Sequence, residues 1–147
     1  MSVLLDVNLL VYAALPSSSE HEMARIWLEE RFADRDSFVA LTWSVLYGFM
    51  RLVSSRRVVG DEAIGPAQAW EAADAFRLQP TTRVVAAGET HADVATELMS
   101  TPGLSPNDIP DVFLAAVAIE HGLILCSHDH GFARFYGLRW TDPLAVR

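Results

Sequence analysis

Short apolar runs alternate along this chain with segments of helical periodicity, and that alternation narrows the possible folds more than any other feature. The runs are residues 2–6, 38–42 ("FVALT"), 82–87 ("TRVVAA") and 123–127 ("LILCS"), with a last short one inside "GLRWTDP". Each has the length and composition of a strand. Helices are expected over 20–32, 43–57, 66–78, 90–100 and 108–122, and the apolar stretch from Asn8 toward Pro16 reads as a helix or turn leaving the first strand. Strands alternating with helices indicate an α/β fold, a central parallel sheet of about five strands with helices on both faces. At 147 residues the chain is expected to form a single domain, 1–147, around one core.

Local signals refine the outline. Ser19 with Glu22 fits a capping box, Pro66 suits a first helical turn, and Gly122 is expected to stop the helix that begins near Asp108. Val45, Leu46, Phe49, Leu52 and Val53 form a wide apolar face, and Met23, Ile26, Trp27 and Phe32 recur at helical spacing. The helical phase of Trp27, Trp43, Trp70 and Phe113 assigns them to the core rather than to a base-stacking surface.

Composition removes several kinds of chemistry. All eleven basic residues are arginines, so a P-loop lysine and a Schiff-base lysine are excluded. Cys126 is the single cysteine, which excludes an internal disulfide and a multi-cysteine zinc site. No eighteen-residue stretch lacks polar residues, so no membrane span is expected, and the first residues lack the pattern of a secretory signal; a cytoplasmic protein is the expectation. The net charge of −8 opposes general affinity for nucleic acid. Metal ions and a local arginine patch could still bring a polyanion to such a surface.

Acidic residues stand where an open parallel sheet collects functional groups, at the carboxyl ends of its strands. Asp6 ends the first apolar run, Asp129 follows the fourth, and Asp111 lies in the first turn of the helix before it. Ala115 and Ala118 share a face with Asp111 and let that helix approach the sheet closely. Each acid also has an ordinary reading: Asp6 and Asp129 as turn formers, and Asp108 as a helix N-cap with Asp111 reaching back to it. For Asp108 the cap is preferred.

Together the three are harder to explain as turn residues. Two carboxylates about 4 Å apart repel by roughly 4 kcal/mol at an effective dielectric near 20. A crevice that gathers three needs a proton or a cation, and oxygen donors suit a hard ion, Mg²⁺ or Mn²⁺. His128 and His130 flank Asp129, but strand alternation turns them away from it, and ligand type and spacing both argue against a histidine–zinc site.

These segments resemble the PIN-domain ribonucleases, specifically the VapC toxins of type II toxin–antitoxin pairs. "LLDVNLLVYA" looks like that family's first strand with its leading acid, "DIPDVFLAAVAIEHG" like the helix bearing another at Asp111, and "SHDHGFARFYGLRWTDPL" like its closing segment, with Ser127 two residues before Asp129. The resemblance runs nearly end to end. It implies a PIN-like fold and a metal-dependent endoribonuclease that hydrolyses phosphodiester bonds of RNA such as transfer or ribosomal RNA. It also implies a VapB-type antitoxin covering the active-site groove and often a homodimer.

On that resemblance Asp6, Asp111 and Asp129 are the catalytic acids and hold Mg²⁺ or Mn²⁺, with Asp108 as an outer ligand and Asn8 and Ser127 orienting the acids. Arg51 and Arg134 are candidates for holding RNA phosphates, against the ordinary alternative of surface ion pairs. An acidic nuclease suits a basic antitoxin segment, one that inserts an arginine among the carboxylates.

Two positions depart from the family pattern. Gly48 stands where a helical Glu is usual, three residues before Arg51, and Gly131 stands where many members have a second acid after Asp129. Close packing is the expected reason for a glycine at 48, since a mid-helix glycine costs roughly 1 kcal/mol against alanine. The alternative to an active nuclease is a catalytically weakened PIN-fold module that binds an antitoxin or RNA without turnover. A phosphohydrolase with Asp6 as nucleophile needs a second acid two residues on and a lysine, and Asn8 and the lack of lysine count against it.

Overall fold

The computed structural model describes residues 1–145; Val146 and Arg147, the last two of the expected 1–147 domain, lie outside the described residues. Strand β1 (Val3–Leu5) opens the sheet, followed by β2 (Val39–Leu41), β3 (Thr82–Val84), β4 (Ile124–Cys126) and β5 (Trp140–Thr141). All five pair in parallel in the order β3-β2-β1-β4-β5, with Leu5 of β1 beside Cys126 of β4. This is the parallel α/β architecture that the sequence indicates.

Parallel neighbours require crossovers, and helices supply them. Helices α1 (Val7–Ala14) and α2 (His21–Ala33) connect β1 to β2, while α3 (Trp43–Val53), α4 (Arg56–Val59) and α5 (Pro66–Arg77) connect β2 to β3. Helices α6 (His91–Leu98) and α7 (Ile109–Glu120) return the chain from β3 to β4. α1 packs on α2 and α3, and α3 on α5, whereas α6 packs on α7. Right-handed crossovers put these two groups on opposite faces of the sheet. Strand order reverses between β1 and β4, so the crevice beyond their carboxyl ends is where such a sheet binds ligands.

The core is centred on β1, β2 and β4, where Leu4, Leu5, Ala40, Leu41, Leu125 and Cys126 are fully enclosed. Burial pushes the Cys126 thiol up to about 12, so it serves as a small apolar side chain and not as a nucleophile. Ala115, Ala116 and Ala118 are equally buried and keep α7 close to the sheet. The end of α7 fixes the start of β4. Gly122 takes φ +64°, its N–H donates to the Ile119 carbonyl, and the N–H of Leu123 donates to the Ala118 carbonyl at 2.9 Å. These two hydrogen bonds close the helix and turn the chain directly into the strand.

Several local expectations are corrected. Helix α2 is not capped by Ser19: it starts after Glu20, Ser18 bonds to Glu20, and Glu22 is paired with Arg25 instead. Its buried face is Ala24 and Leu28, leaving Met23 and Ile26 exposed. Trp43, Trp70 and Phe113 are not core residues; each is about 40% exposed. The reason lies in the phase of their helices. In α3 the buried face is Val45, Leu46, Phe49 and Val53, so Trp43 projects outward with Tyr47 and stacks on it and on Trp70. Trp27 does pack against the core at its edge. The expected 43–57 helix breaks after Val53, and β3 stops at Val84 because its one neighbour, β2, is three residues long.

Gly122 gives a direct test of the helix-to-strand closure. A Cβ there would meet no atom within 4 Å, so Gly122→Ala isolates the backbone cost of the positive φ. We expect a loss of about 1 kcal/mol in urea unfolding, and an unchanged midpoint would show that the closure does not need the left-handed residue.

Candidate active site at the carboxyl edge of the sheet

The chain leaves β1 at Asp6, whose N–H bonds to the Cys126 carbonyl at 3.0 Å and so extends the β1–β4 pairing by one step. Asp6 is the N-cap of α1. One carboxylate oxygen, Oδ1, accepts from the Val7 amide at 2.7 Å, and Oδ2 accepts from the Ser127 hydroxyl at 2.7 Å. The turn-forming reading of Asp6 is therefore correct as far as it goes, since the residue caps the helix. Its burial raises the carboxyl pKa despite those two bonds, and the charge of Asp129 adds to the rise.

Ser127 is the fully buried hub of this edge. Its hydroxyl donates to Asp6 and accepts from Asn8 Nδ2 at 3.1 Å and from the Asp129 amide at 3.0 Å. Asn8 reaches across the other way too, its Oδ1 accepting from the His128 amide at 3.4 Å. Asp129 caps the short 3₁₀ turn His130–Arg134, accepting from the Gly131 amide at 2.9 Å.

Asp111 projects from the first turn of α7 and is half-buried beside the same edge. Its carboxyl is pushed up to about 6, first by burial and then by the charges of Asp6, Asp129 and Asp108, with Arg134 pulling the other way. The mutual repulsion expected of converging acids is thus present at Asp6 and Asp111. Oxygen donors in that state form a set that a hard divalent cation fits.

Asp108 occupies the N-cap position of α7, but its side chain makes no capping bond to the helix. Its Oδ2 accepts from the Ser105 amide at 2.8 Å and from the Ser105 hydroxyl, and its Oδ1 meets Arg134 Nη2 at 2.9 Å. The Ser105 amide and the Arg134 guanidinium hold its pKa below the ordinary carboxylate range. The N-cap reading is right in position but not in its bond: Asp108 is the N-cap residue of α7, and its side chain turns back to close the preceding 3₁₀ turn Pro106–Asp108. Arg134 is engaged in this ion pair, while Arg51 is exposed in the last turn of α3 and enters no ion pair among the described residues.

The two glycines differ in kind. A Cβ on Gly48 would meet the Val7 side chain at 3.7 Å, an ordinary contact, so close packing does not explain that glycine. A Cβ on Gly131 would come within 3.1 Å of Asp129 Oδ1. There the missing acid coincides with a tight approach of backbone to carboxylate.

His128 and His130 do not join the acids; both meet Asp142 just beyond β5. Asp142 was missed in the sequence, although its place directly after the last strand is a signal of the kind that singled out Asp6 and Asp129.

The arrangement defines an open parallel α/β domain with acids gathered at the switch point between β1 and β4. The family model for the PIN domain matches residues 3–138. Ribonuclease VapC43 of Mycobacterium tuberculosis is 43% identical over 139 residues, covering 95% of this chain and 93% of that protein. The VapBC2 structure from Rickettsia felis, bound to a DNA fragment from its promoter, superposes with a TM-score of 0.73 at 19% identity, covering 97% of this chain and 98% of its own. A toxin–antitoxin complex from Klebsiella pneumoniae gives 0.61 at 18% identity, over 96% and 97%. The chain belongs to the PIN domain family, in its VapC branch.

The sign of the Asp111 shift predicts a pH-dependent gain from removing the charge. The folded chain binds this proton more tightly than the unfolded chain, whose carboxyl titrates near 3.8, so stability is lost as pH rises from about 4 through 6. Asp111→Asn should stabilise the protein at pH 7.5 by about 1 to 2 kcal/mol, discounted for partial exposure, with the gain gone by pH 4. Thermal unfolding at the two pH values measures it, and a gain of equal size at both would assign the effect to something other than ionisation.

Proposed function

We propose that this protein is a Mg²⁺- or Mn²⁺-dependent endoribonuclease and the toxin of a type II toxin–antitoxin pair. One observation carries the reading: Asp6, Asp111 and Asp129 converge on the sheet's switch point, where the charge of Asp129 raises the proton affinity of Asp6 and the charges of Asp6 and Asp129 raise that of Asp111. The relative named ribonuclease, alike over nearly the whole chain, supports RNA as the substrate. Transfer and ribosomal RNA are the substrate classes to test first.

In this reading Asp6, Asp111 and Asp129 would hold the ion, with Asp108 in an outer position. A divalent ion bound there supplies a water of lowered pKa and stabilises charge on the phosphate, as in-line hydrolysis of a phosphodiester requires. The chain's own residues do the positioning. Ser127 fixes Asp6 Oδ2, Asn8 fixes Ser127, and the Gly131 amide fixes Asp129. Arg51 is available to hold a backbone phosphate through its forked donors. Arg134 can do so only by leaving Asp108 or by sharing it.

The net charge of −8 suits a basic antitoxin segment that places an arginine among these acids, and the likeness to a toxin–antitoxin complex supports a VapB-type partner. Homodimerisation is part of the same proposal.

Purified protein should cleave RNA with Mg²⁺ or Mn²⁺, stop on chelation, and lose activity in Asp6→Asn while keeping its circular dichroism. Cleavage by Asp6→Asn at the parental rate would refute the site assignment. Gly48→Glu, whose Cβ makes only an ordinary contact with Val7, should raise the rate if the site is merely short of one carboxylate. If parent and Gly48→Glu are both inactive yet bind RNA or antitoxin, the protein is a binding module.

A further inference from the structure

On the other side of Asp129, His128 Nδ1 and His130 Nε2 point at a single oxygen, Asp142 Oδ2, at 2.9 and 2.8 Å. The three ligand atoms lie within 4.8 Å of one another. We propose that His128, His130 and Asp142 form a second metal site, selective for Zn²⁺ and similar transition-metal ions and separate from the acids at the β1–β4 edge.

Topology builds the trio. His128 lies in the segment that leaves β4, His130 opens the 3₁₀ turn that follows, and Asp142 directly follows the neighbouring parallel strand, in which Thr141 pairs with Cys126. Each ligand is held in place independently. His128 lies edge-on to Tyr12 at 5.9 Å and His130 edge-on to Trp140 at 5.4 Å, with the two imidazoles nearly perpendicular. Asp142 is almost wholly buried at its side chain, and its Oδ1 is committed to the Leu144 amide at 2.9 Å, leaving Oδ2 for the histidines.

Donor type and spacing favour zinc over magnesium. Two imidazoles and one carboxylate are the ligands of borderline ions, whereas Mg²⁺ takes oxygen. Donors around tetrahedral zinc stand about 3.3 Å apart, so the two hydrogen-bonded contacts need to open by only about half an ångström. His130, Trp140 and Asp142 also line an open cleft of about 500 Å³, which admits an ion and leaves room for water as a fourth ligand. The spacing that rules out ligation by these histidines together with Asp129 does not apply to Asp142, which both of them already contact.

The site brackets a candidate catalytic acid, since Asp129 lies between the two histidines with its carboxylate turned to the opposite side. An ion held by His128, His130 and Asp142 pins the backbone that presents Asp129, and ties the 3₁₀ turn to β5.

Zn²⁺ titration by calorimetry of the full chain, with Co²⁺ absorption as a spectroscopic probe, tests the proposal. Asp6→Asn weakens the acid set and should leave Zn²⁺ binding intact at one equivalent. His130→Gln and Asp142→Asn should each weaken it at least tenfold and abolish the visible Co²⁺ bands of a four-coordinate nitrogen-containing site. The His130 side chain is 69% exposed, so His130→Gln keeps the fold, which circular dichroism checks. No Zn²⁺ binding by the parent, binding unchanged in His130→Gln, or binding lost in Asp6→Asn would each overturn the proposal. Because the readout is binding, failure of RNA cleavage leaves the result standing.

Discussion

One enclosed hydroxyl joins the two central strands at the point where the chemistry gathers. Ser127 donates to Asp6 beyond β1 and accepts from Asn8 and from the Asp129 amide beyond β4. Three of the candidate site residues therefore take their position from a single oxygen atom with no exposure to solvent. Burying a carboxylate beside it is expensive unless charge-assisted hydrogen bonds compensate. Asp6 receives two, from Ser127 and Val7, and burial still outweighs them.

The site is thus well fixed and poorly neutralised. Hydrogen bonds at this edge come from a hydroxyl, an amide side chain and backbone N–H groups, which orient acids without cancelling their charge. Arg134 draws Asp111 down slightly, but its ion pair is with Asp108. Such an arrangement costs stability in the absence of a cation and favours one when it is available, the stability–function conflict common at sites of this kind.

Much of this was readable in the chain because strand ends and helix starts are local signals. "VLLDVN" marks a strand that stops at an acid, and the alanines after Asp111 mark a helix lying close to the sheet. What could not be read were choices made by tertiary contacts. Apolar character alone does not tell which face of α3 or α5 meets the sheet, so helical phase points Trp43 and Trp70 to the core, whereas they stack on each other outside it. Ser19 and Glu22 have the spacing of a cap, but Glu22 pairs with Arg25, and it is Ser18 that bonds at the helix start, to Glu20. Asp142 carries the same local signal as Asp6, an acid directly after a strand, but its meeting with His128 and His130 depends on the pairing of β5 with β4, which no local pattern encodes.

The two glycines at the family's acidic positions show how differently a missing carboxylate can arise. At Gly131 the amide bonds to Asp129 Oδ1, and a side chain would crowd that same oxygen at 3.1 Å, so the position exchanges an acid for a close backbone contact that orients another. Gly48 makes no such exchange. Its backbone is not in the left-handed region, and its nearest non-local neighbour is the ordinary side-chain contact with Val7, next to Asp6. Glycine there costs helix stability without gaining packing. What it does change is the charge beside the crevice. A fourth carboxylate would add repulsion of up to about 4 kcal/mol per close pair, and its omission leaves the three-acid edge cheaper to fold and weaker in its pull on a cation.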